Sequence, residues 1–519
     1  MLSKLRRTAA RLQSWGRPGV LRPGRCHRVR RTFFLSALSA ALLPAAVAGQ
    51  GFRGTATTTT RYLELRPIVA DSVSFERVTE RADGSFEFEG RTVSCVTGLP
   101  CVFYRPGEVQ EAVALTQDVG FTTWGYGLPG LSATVLLRGR ADLAGDFVWP
   151  NSDDHFDALL AYAQYNRGMV RARAGRQQNL SGLGFSGYDG LNVLVEPREW
   201  VSVEGYAGRS LLRGTSEPRS EVLRGIEDFA FDTLSRNIYL LGASARFEPR
   251  TGTALTARYQ REIQGTQGAL QSERAGLDFS SNVLRPVRLE AALDYDLAFA
   301  RVGKAHVRAQ APLLRNRLIL EATGRRYQPW FELFTIWGFF SPVGYNEGEV
   351  RATWLAREDL RLWGTAGYRN YEESNATLIF GGLETEAVRG ELGAEWLGIE
   401  DFSILGEYRY ENGFGAFASS GEGTVRWTPG ERVSVFATGL ASQQIEEFRV
   451  GEGLVWGFGG GGEVRLTPRA DLMAGANVYR QTSENRQSAA DWNQLRAYAA
   501  LSIGFGEDPG AARRPGRIR

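Results

Sequence analysis

The chain has 519 residues, 23% of them charged, and beyond the N-terminal segment no uncharged apolar stretch approaches the roughly 18–20 residues of a transmembrane helix, which argues against a helical membrane protein. Its formal charge of +3 originates at the N-terminus, because the first 48 residues hold ten Lys or Arg and no acid. The rest of the chain has 51 basic and 58 acidic residues, a formal charge of −7, which removes the main support for nucleic-acid binding.

The first predicted element is a signal peptide over residues 1–48. A basic region at 1–31 precedes an apolar core at 33–43 and the small-residue site Ala46-Val47-Ala48, so we expect cleavage after Ala48. The string RRTFF at 30–34 is also typical of a twin-arginine signal, which is the alternative to the general secretory route. The long basic region leaves open a later translation start near Val29.

The next feature is a long polar stretch at 67–110, in which a Gly-Leu-Pro turn separates Cys95 from Cys101. One closely spaced pair in an exported chain favours a disulfide that closes a tight hairpin. The alternative is a metal pair, but beyond residue 48 the chain has two histidines, His155 and His306, and neither is near in sequence. We therefore predict a disulfide, with no metal and no cofactor.

A period of two is clearest at 288–299, RLEAALDYDLAF. One side of this stretch is apolar and consists of Leu289, Ala291, Leu293, Tyr295, Leu297 and Phe299. The other side is charged and includes Arg288, Glu290, Asp294 and Asp296. In 303–310, Lys304, His306 and Arg308 alternate with apolar residues in the same way. Such alternation predicts β-strands with one apolar and one polar face.

The same alternation recurs toward the C-terminus, at 350–354, 388–396, 402–410 and 495–505. The apolar sides of these runs include Trp354, Trp396, Phe402, Tyr408, Leu501 and Phe505. The polar sides include Arg389, Glu391, Glu395, Glu407, Arg409 and Arg496. A soluble sandwich could contain one such strand, but recurrence along the whole chain predicts a barrel with lipid outside and water inside.

Short Pro-, Gly- and Asn-rich turns alternate with longer polar stretches such as 178–187, which are predicted loops, and about 22 strands fit between them, with 16 to 24 acceptable. The predicted fold class is therefore all-β, a transmembrane antiparallel β-barrel over residues 49–505 with short periplasmic turns and longer extracellular loops. The stretch 67–110 becomes one of those loops. The Gly/Pro/Arg-rich residues 506–519 are predicted to form a disordered tail. The aromatic segment 330–340 is predicted to form an interfacial belt or a constriction inside the lumen.

The alternation assigns individual side chains to the two faces. The predicted pore-lining residues are Arg171, Arg173, Gln177, Arg288, Glu290, Asp294, Asp296, Lys304, His306, Arg308, Arg361, Arg369, Arg389, Glu391, Glu395, Glu407, Arg409 and Arg496. The predicted lipid-facing residues are Leu289, Leu293, Tyr295, Phe299, Trp354, Trp396, Phe402, Tyr408, Leu501 and Phe505.

The segment 171–197 resembles bacterial outer-membrane porins, in particular alginate-export-type channels. The matching residues are Gly175-Arg176-Gln177 at the end of a strand and Asp189-Gly190 at the start of the next one, after a Gly-rich stretch. The resemblance covers 27 of the 519 residues. It implies a channel in the bacterial outer membrane, and it implies that the assembly machinery recognises the final strand through Phe505, provided that the residues after it are an added tail.

A barrel of about 22 strands is too wide for side chains to fill, and strand-like sequence begins by about Gly54, without a preceding plug domain. We therefore predict a porin-like channel, not an enzyme, for passive passage of small hydrophilic solutes, either anionic or saccharide. The expected partners are outer-membrane lipid and these solutes, and a homo-oligomer is compatible with the pattern. The charged wall is either an anion track or a set of cross-strand ion pairs that makes the lumen hydrophilic.

Two other functions remain open from the sequence. The first is an adhesin or structural barrel that does not conduct. The second is an outer-membrane hydrolase, because His155 stands beside Asp153 and Asp154, although no Gly-x-Ser-x-Gly signature accompanies them.

Overall fold

The computed structural model describes residues 51–65, 68–81, 86–89, 91–96, 99–144, 155–211, 238–265, 268–284, 286–328, 344–372, 385–413, 419–444, 453–483 and 492–506. The predicted signal peptide, the aromatic segment 330–340 and residues 507–519 of the predicted tail lie outside these ranges. Among the described residues, no helix is long and apolar enough to cross a membrane.

The described residues form 27 strands and one three-residue 3-10 turn, Phe75–Arg77. In chain order the strands are β1 (Gly51–Leu65), β2 (Ile68–Val73), β3 (Thr79–Glu80), β4 (Phe86–Phe88), β5 (Arg91–Val93), β6 (Cys101–Pro106), β7 (Gln110–Trp124), β8 (Leu131–Asp142), β9 (His155–Arg167), β10 (Val170–Ser181), β11 (Gly184–Arg198), β12 (Val201–Ser210), β13 (Ile238–Arg250), β14 (Thr253–Gln264), β15 (Leu270–Ser281), β16 (Arg288–Asp296), β17 (Arg301–Leu313), β18 (Leu318–Tyr327), β19 (Tyr345–Arg357), β20 (Leu360–Tyr371), β21 (Glu386–Ile399), β22 (Phe402–Asn412), β23 (Ser419–Trp427), β24 (Val433–Gln444), β25 (Gly453–Thr467), β26 (Ala470–Ser483) and β27 (Trp492–Gly506).

Strands β1 and β7–β27 form one closed antiparallel barrel of 22 strands, which confirms the predicted fold class and strand number. The barrel closes because β1 pairs with β7 on one side and with the final strand β27 on the other. At this seam the ring of Phe505 lies against Gly54, where an added Cβ would come 2.5 Å from the ring. A glycine is therefore required at this position of β1.

The two rims of the barrel differ. At one rim the strands are joined by short turns, such as the two residues between β9 and β10, where Gly168 has a φ of +59°. At the other rim the connections are mostly longer, and the largest of the described connections lies between β1 and β7. We refer to these ends as the short-turn rim and the long-loop rim.

Each barrel strand has an apolar face and a charged face, as its period of two requires. On β19 to β22 the apolar side chains Val350, Tyr368, Val388 and Leu392 are 57%, 46%, 57% and 67% exposed. The neighbouring side chains on the opposite face of these strands form ion pairs with other strands. A convex surface leaves side chains accessible and a concave one crowds them, so we assign the apolar face to the outside and the charged face to the lumen.

Pairs of aromatic side chains lie on the outer face near the short-turn rim. Phe52 lies 6.5 Å from Phe505 between ring centroids, and Trp200 packs edge-on against Phe247 at 5.3 Å. An aromatic girdle below an apolar band is the surface that a barrel presents to a bilayer and its interface.

The connection between β1 and β7 folds into a small disulfide-closed unit. Strand β2 pairs with β6, strands β3 to β5 form a second sheet, and Val73, Val93, Cys101 and Phe103 are buried between them. The predicted disulfide between Cys95 and Cys101 is present. At the edge of the unit the Arg105 guanidinium, whose Nε lies 2.6 Å from Asp71 Oδ2, holds the pKa of that carboxyl below its usual range.

The stretch 288–299 is a strand for most of its length, but the predicted strand was too long. Strand β16 ends at Asp296, and residues 297–300 form a turn. The turn closes because Asp296 Oδ1 accepts a hydrogen bond of 3.2 Å from the backbone nitrogen of Phe299. Phe299, predicted to face lipid from a strand, therefore lies in this turn, with the Arg301 guanidinium 4.7 Å from its ring centroid.

Candidate pore lining and constriction

The predicted charged residues of β16 and β17 lie on one face and are connected by ion pairs. Arg288 lies 2.7 Å from Glu290, and Glu290 lies 3.6 Å from Arg308, whose guanidinium also lies 2.6 Å from Glu321 on β18. A bulge near Asp294 brings Arg301 onto the same face. The row therefore alternates in sign around the wall and contains no block of a single charge.

Asp294 and Asp296 lie farther up the same strand, toward the long-loop rim. Asp294 lies 3.5 Å from Arg274 on β15 and is the register partner of Lys304. Asp296 is 1% exposed and lies 3.8 Å from Arg301. His306 lies between these rows, as the register partner of Arg325.

The densest cluster surrounds Glu347 on β19, whose side chain is 0% exposed. Its carboxylate lies 2.5 Å from Arg325, 2.6 Å from Arg369 and 3.1 Å from Arg389, which come from three other strands. Glu411 on β22 completes the cluster, at 3.1 Å from Arg369 and 2.8 Å from Arg389. Buried charges require such complete pairing, because a lone carboxylate here would lose its hydration without compensation.

Sequence reasoning predicted Arg369 and Arg389 but missed Glu347, Arg325 and Glu411. The signal was present, because Glu347 stands two residues before Glu349, on the same side of a period-two strand. The alternation in the sequence is clear only from Val350 onward, since residues 344–348 have too few apolar side chains to indicate a strand. In the structure β19 already begins at Tyr345, and the ion pairs of Glu347 with neighbouring strands hold this part of it in the sheet.

A second group of charged side chains surrounds Glu391 on β21. Arg351 lies 3.0 Å from this carboxylate and Arg409 lies 3.8 Å from it, while Trp363 Nε1 donates a hydrogen bond of 2.8 Å to it. Nearer the short-turn rim, Arg361 pairs with Glu395 at 2.9 Å. Glu407 pairs with Arg409 along β22.

The remaining predicted polar residues lie on other parts of the wall. Arg173 Nε donates to Gln164 at 2.7 Å, and Arg171 shares its face two residues away. Arg496 Nε donates to Gln494 at 2.7 Å. Arg173 and Arg496 therefore pair with neutral side chains, in contrast to the arginines near Glu347.

Most of the predicted lipid-facing residues lie on the opposite, accessible face. Leu293, Trp354 and Tyr408 are 41%, 50% and 49% exposed. Six other predicted lipid-facing residues are partly exposed: Leu289, Tyr295, Trp396, Phe402, Leu501 and Phe505. Trp396 also donates a hydrogen bond of 3.1 Å from its indole nitrogen to Asp359 in a short turn, as expected for an aromatic belt at an interface.

The stretch 178–187, predicted as a loop, is instead the end of a β-hairpin that leaves the barrel wall. Pairing between β9 and β10 stops at Ala161 and Arg176, and pairing between β11 and β12 begins at Tyr188 and Ser210. Beyond these points β10 and β11 pair with each other alone, up to Ser181 and Gly184. We call residues 177–187 the inner hairpin.

The tip of the inner hairpin reaches the luminal face of β14 and β15. Leu183 at the tip is 2% exposed, and a Cβ added to Gly276 on β15 would come 2.8 Å from its side chain. A Cβ on Gly182 would likewise come 3.0 Å from Arg258 and 3.2 Å from Asp278. Because those side chains belong to the charged face, the hairpin lies inside the barrel and narrows the lumen.

The bend that directs the hairpin inward coincides with the motif that resembles alginate-export-type channels. Gly175 has a φ of +125°, which favours glycine, and Gly190 packs directly against the backbone of Ala207 and Gly208. Between these two glycines, the Arg176 guanidinium donates two parallel hydrogen bonds of 2.8 Å each to the Asp189 carboxylate. This bidentate pair holds the two strands together at the point where both change direction.

Polar side chains beneath the inner hairpin are buried, although they line a barrel. Gln260, Glu262, Ser272 and Arg274 are 5% exposed or less. Two of them accept hydrogen bonds along the wall, Gln260 from the Tyr206 hydroxyl at 3.2 Å and Glu262 from the Ser210 hydroxyl at 3.3 Å. Predicted Gln177 is also buried here, and its side-chain nitrogen donates to the carbonyl of Gly190 at 3.1 Å. On this side the lumen is filled by protein.

The described residues contain no group of three or more His, Cys, Asp or Glu that could hold a metal ion. The hydrolase alternative depends on His155, Asp153 and Asp154. His155 begins β9, but its side chain and both Asp153 and Asp154 lie outside the described residues.

Fold and wall together define a wide transmembrane β-barrel with a charged, constricted lumen. The sequence matches no protein-family model and no curated protein sequence. Solved structures with a similar overall path include OccAB1 of Acinetobacter baumannii (10% identity, 88% of this chain and 98% of that one, TM-score 0.37). Others are a BenF-like porin of Pseudomonas fluorescens (9%, 88% and 99%, 0.39) and the ferric enterobactin receptor of Pseudomonas aeruginosa (10%, 88% and 81%, 0.44). At these TM-scores the likeness carries no argument about function, which has to come from the geometry of this chain.

Proposed function

We propose that this protein is a channel of the bacterial outer membrane through which small hydrophilic solutes pass passively. The main support is the combination of a closed barrel of 22 strands with a charged inner wall. A barrel of this size encloses more space than its own side chains fill. The charged side chains offer solutes hydrogen-bond donors and acceptors in place of water.

The location follows from the outer surface. An apolar band with aromatic side chains at its short-turn edge fits a lipid bilayer, and a barrel leaves no unpaired strand edge in lipid. Because β1 starts and β27 ends at the short-turn rim, we place that rim in the periplasm and the long-loop rim outside the cell. Outer-membrane lipid would then be the partner of the apolar face, and the assembly machinery would recognise β27 with Phe505.

The inner hairpin would act as the constriction of this channel. It occupies the lumen beside β14 and β15, so solutes would pass along the wall that it leaves uncovered, which includes β17 to β22, where charges of both signs remain accessible. Since most of these charges are paired, we expect weak charge selectivity. The pairs therefore support the interpretation of a hydrophilic wall over that of an anion track.

The test is to reconstitute the purified chain in planar bilayers and record single-channel currents in potassium chloride. We expect discrete open levels and a reversal potential close to zero in a salt gradient. A folded barrel that inserts but produces no current would refute the channel and favour a structural or adhesive role. A strong cation or anion preference would contradict the balanced wall.

A further inference from the structure

Three tyrosines form a row on the charged face, near the long-loop rim. Tyr327 on β18, Tyr345 on β19 and Tyr371 on β20 are consecutive register partners. Their ring centroids are 5.7 and 5.6 Å apart, with interplanar angles of 49° and 60°. A row of neighbouring rings on a luminal wall is a surface on which flat, weakly polar faces of a solute can stack.

Arg369 holds the tyrosine rings in place, and ion pairs hold Arg369 in place. The Arg369 guanidinium carbon lies 4.4 Å from the centroid of Tyr345, and its Nη1 donates a hydrogen bond of 2.8 Å to the Tyr371 hydroxyl. Arg369 is also bound to Glu347 and Glu411, and its side chain is 13% exposed. The row is thus organised before a solute arrives, which lowers the entropic cost of binding.

The charges directly below the row balance. Arg325, Arg369 and Arg389 meet the carboxylates of Glu347 and Glu411, and Glu349 lies 3.8 Å from Arg325. At the β17 end of the row, Lys304 is the register partner of both Tyr327 and Asp294. The surface therefore offers many hydrogen-bond donors and acceptors without an excess of either sign, which suits a neutral, hydroxyl-rich ligand better than an anion.

We propose that Tyr327, Tyr345 and Tyr371 form a binding subsite for neutral saccharides inside the channel. The apolar faces of sugar rings stack on the tyrosines, and their hydroxyls hydrogen-bond to the arginines and carboxylates below. The inference rests on the proposed channel function in one respect, since the solute reaches the row through the lumen. It adds the class of solute that the channel holds.

The test measures binding apart from conduction. The full chain, folded in detergent, is titrated calorimetrically with maltohexaose, with oligogalacturonate of similar length, and with benzoate. We expect maltohexaose to bind best and Tyr345→Ala to weaken it about three- to tenfold, as for the loss of one aromatic contact. Tyr345→Phe keeps the ring and should keep most of the affinity. The matched control is Tyr368→Ala, on the same strand as Tyr371 but 46% exposed on the outer face.

The outcomes separate the subsite from the channel. Equal affinities for maltohexaose in Tyr345→Ala and Tyr368→Ala would overturn the subsite, even if the barrel conducts. Tighter binding of oligogalacturonate or benzoate would overturn the neutral class. Tyrosine-dependent binding by a barrel that passes no current would keep the subsite and refute the channel. Tyr371→Ala provides a second variant, and the mobility of unheated samples in gels confirms that each barrel is folded.

Discussion

The wall from β17 to β22 and the wall from β11 to β15 have the same alternation of faces but different luminal surfaces. On the first wall, side chains in ion pairs stay partly exposed: those of Arg361 and Glu395 are 38% and 23% exposed. On the second wall, Glu262 and Gln260 are 0% and 2% exposed. The difference is due to the inner hairpin, whose tip covers the second wall. A period of two therefore determines which side chains face inward, whereas cover from the hairpin, or from surrounding arginines as at Glu347, determines which of them meet water.

Excising the inner hairpin should produce the largest effect, because it would make the two walls alike. Gln177 and Tyr188 are register partners, so an Asn-Gly turn can join β10 to β11 directly in place of residues 178–187. We expect single-channel conductance to rise by about twofold or more, because the narrowest part of the pore is removed.

The control for this excision is the turn at 297–300, which is at the same rim but belongs to the open wall. Replacing it with Asn-Gly should leave conductance unchanged. Unchanged conductance in the hairpin variant as well would show that the constriction lies elsewhere in the channel.

Removing the central carboxylate of the open wall should have the next largest effect. In Glu347→Ala, three arginines lose a shared partner that is 0% exposed. We expect a loss of about 2–3 kcal/mol in unfolding free energy, below the range for fully buried pairs because two of the arginines stay about a third exposed. The lumen also gains one net positive charge, so the reversal potential should shift toward anion selectivity. A shift toward cations would contradict the luminal position of this cluster.

The sequence was sufficient for the barrel but not for the hairpin. The fold, the strand number and the charged rows of β16, β17 and β21 follow from the alternation of residue types, because one face of each strand meets lipid and the other meets water. Residues 178–187 contain Gly, Ser and Asn with little alternation, and whether such a hairpin stays in the wall depends on contacts between Leu183 and Gly276, far apart in sequence. Glu347, Arg325 and Glu411 were missed for a similar reason, since the members of their cluster come from five strands, β18 to β22.

Loosening the bend at the base of the inner hairpin should change the single-channel current less than excising the hairpin does. Asp189→Asn keeps the shape of the side chain but removes the charge from its bidentate pair with Arg176. We expect noisier currents with brief excursions to the conductance of the excised variant, because the hairpin remains but is held less firmly. Asp71→Asn removes a comparable pair with Arg105, outside the barrel, and should leave the current trace unchanged. Identical traces in both variants would mean that the pair does not hold the bend.

The smallest effect is expected for an isolated pair of the open wall. Within the described part of the chain, Glu395 has one ion-pair partner, Arg361 at 2.9 Å, and both side chains are partly exposed to the lumen. Glu395→Gln should therefore cost less than about 1 kcal/mol in urea unfolding, since water replaces the lost partner. Its reversal potential should shift toward anions, as in Glu347→Ala, because both changes remove one luminal negative charge. A loss of stability as large as that of Glu347→Ala would mean that burial does not distinguish the two carboxylates, and the contrast between exposed and covered charges would fail.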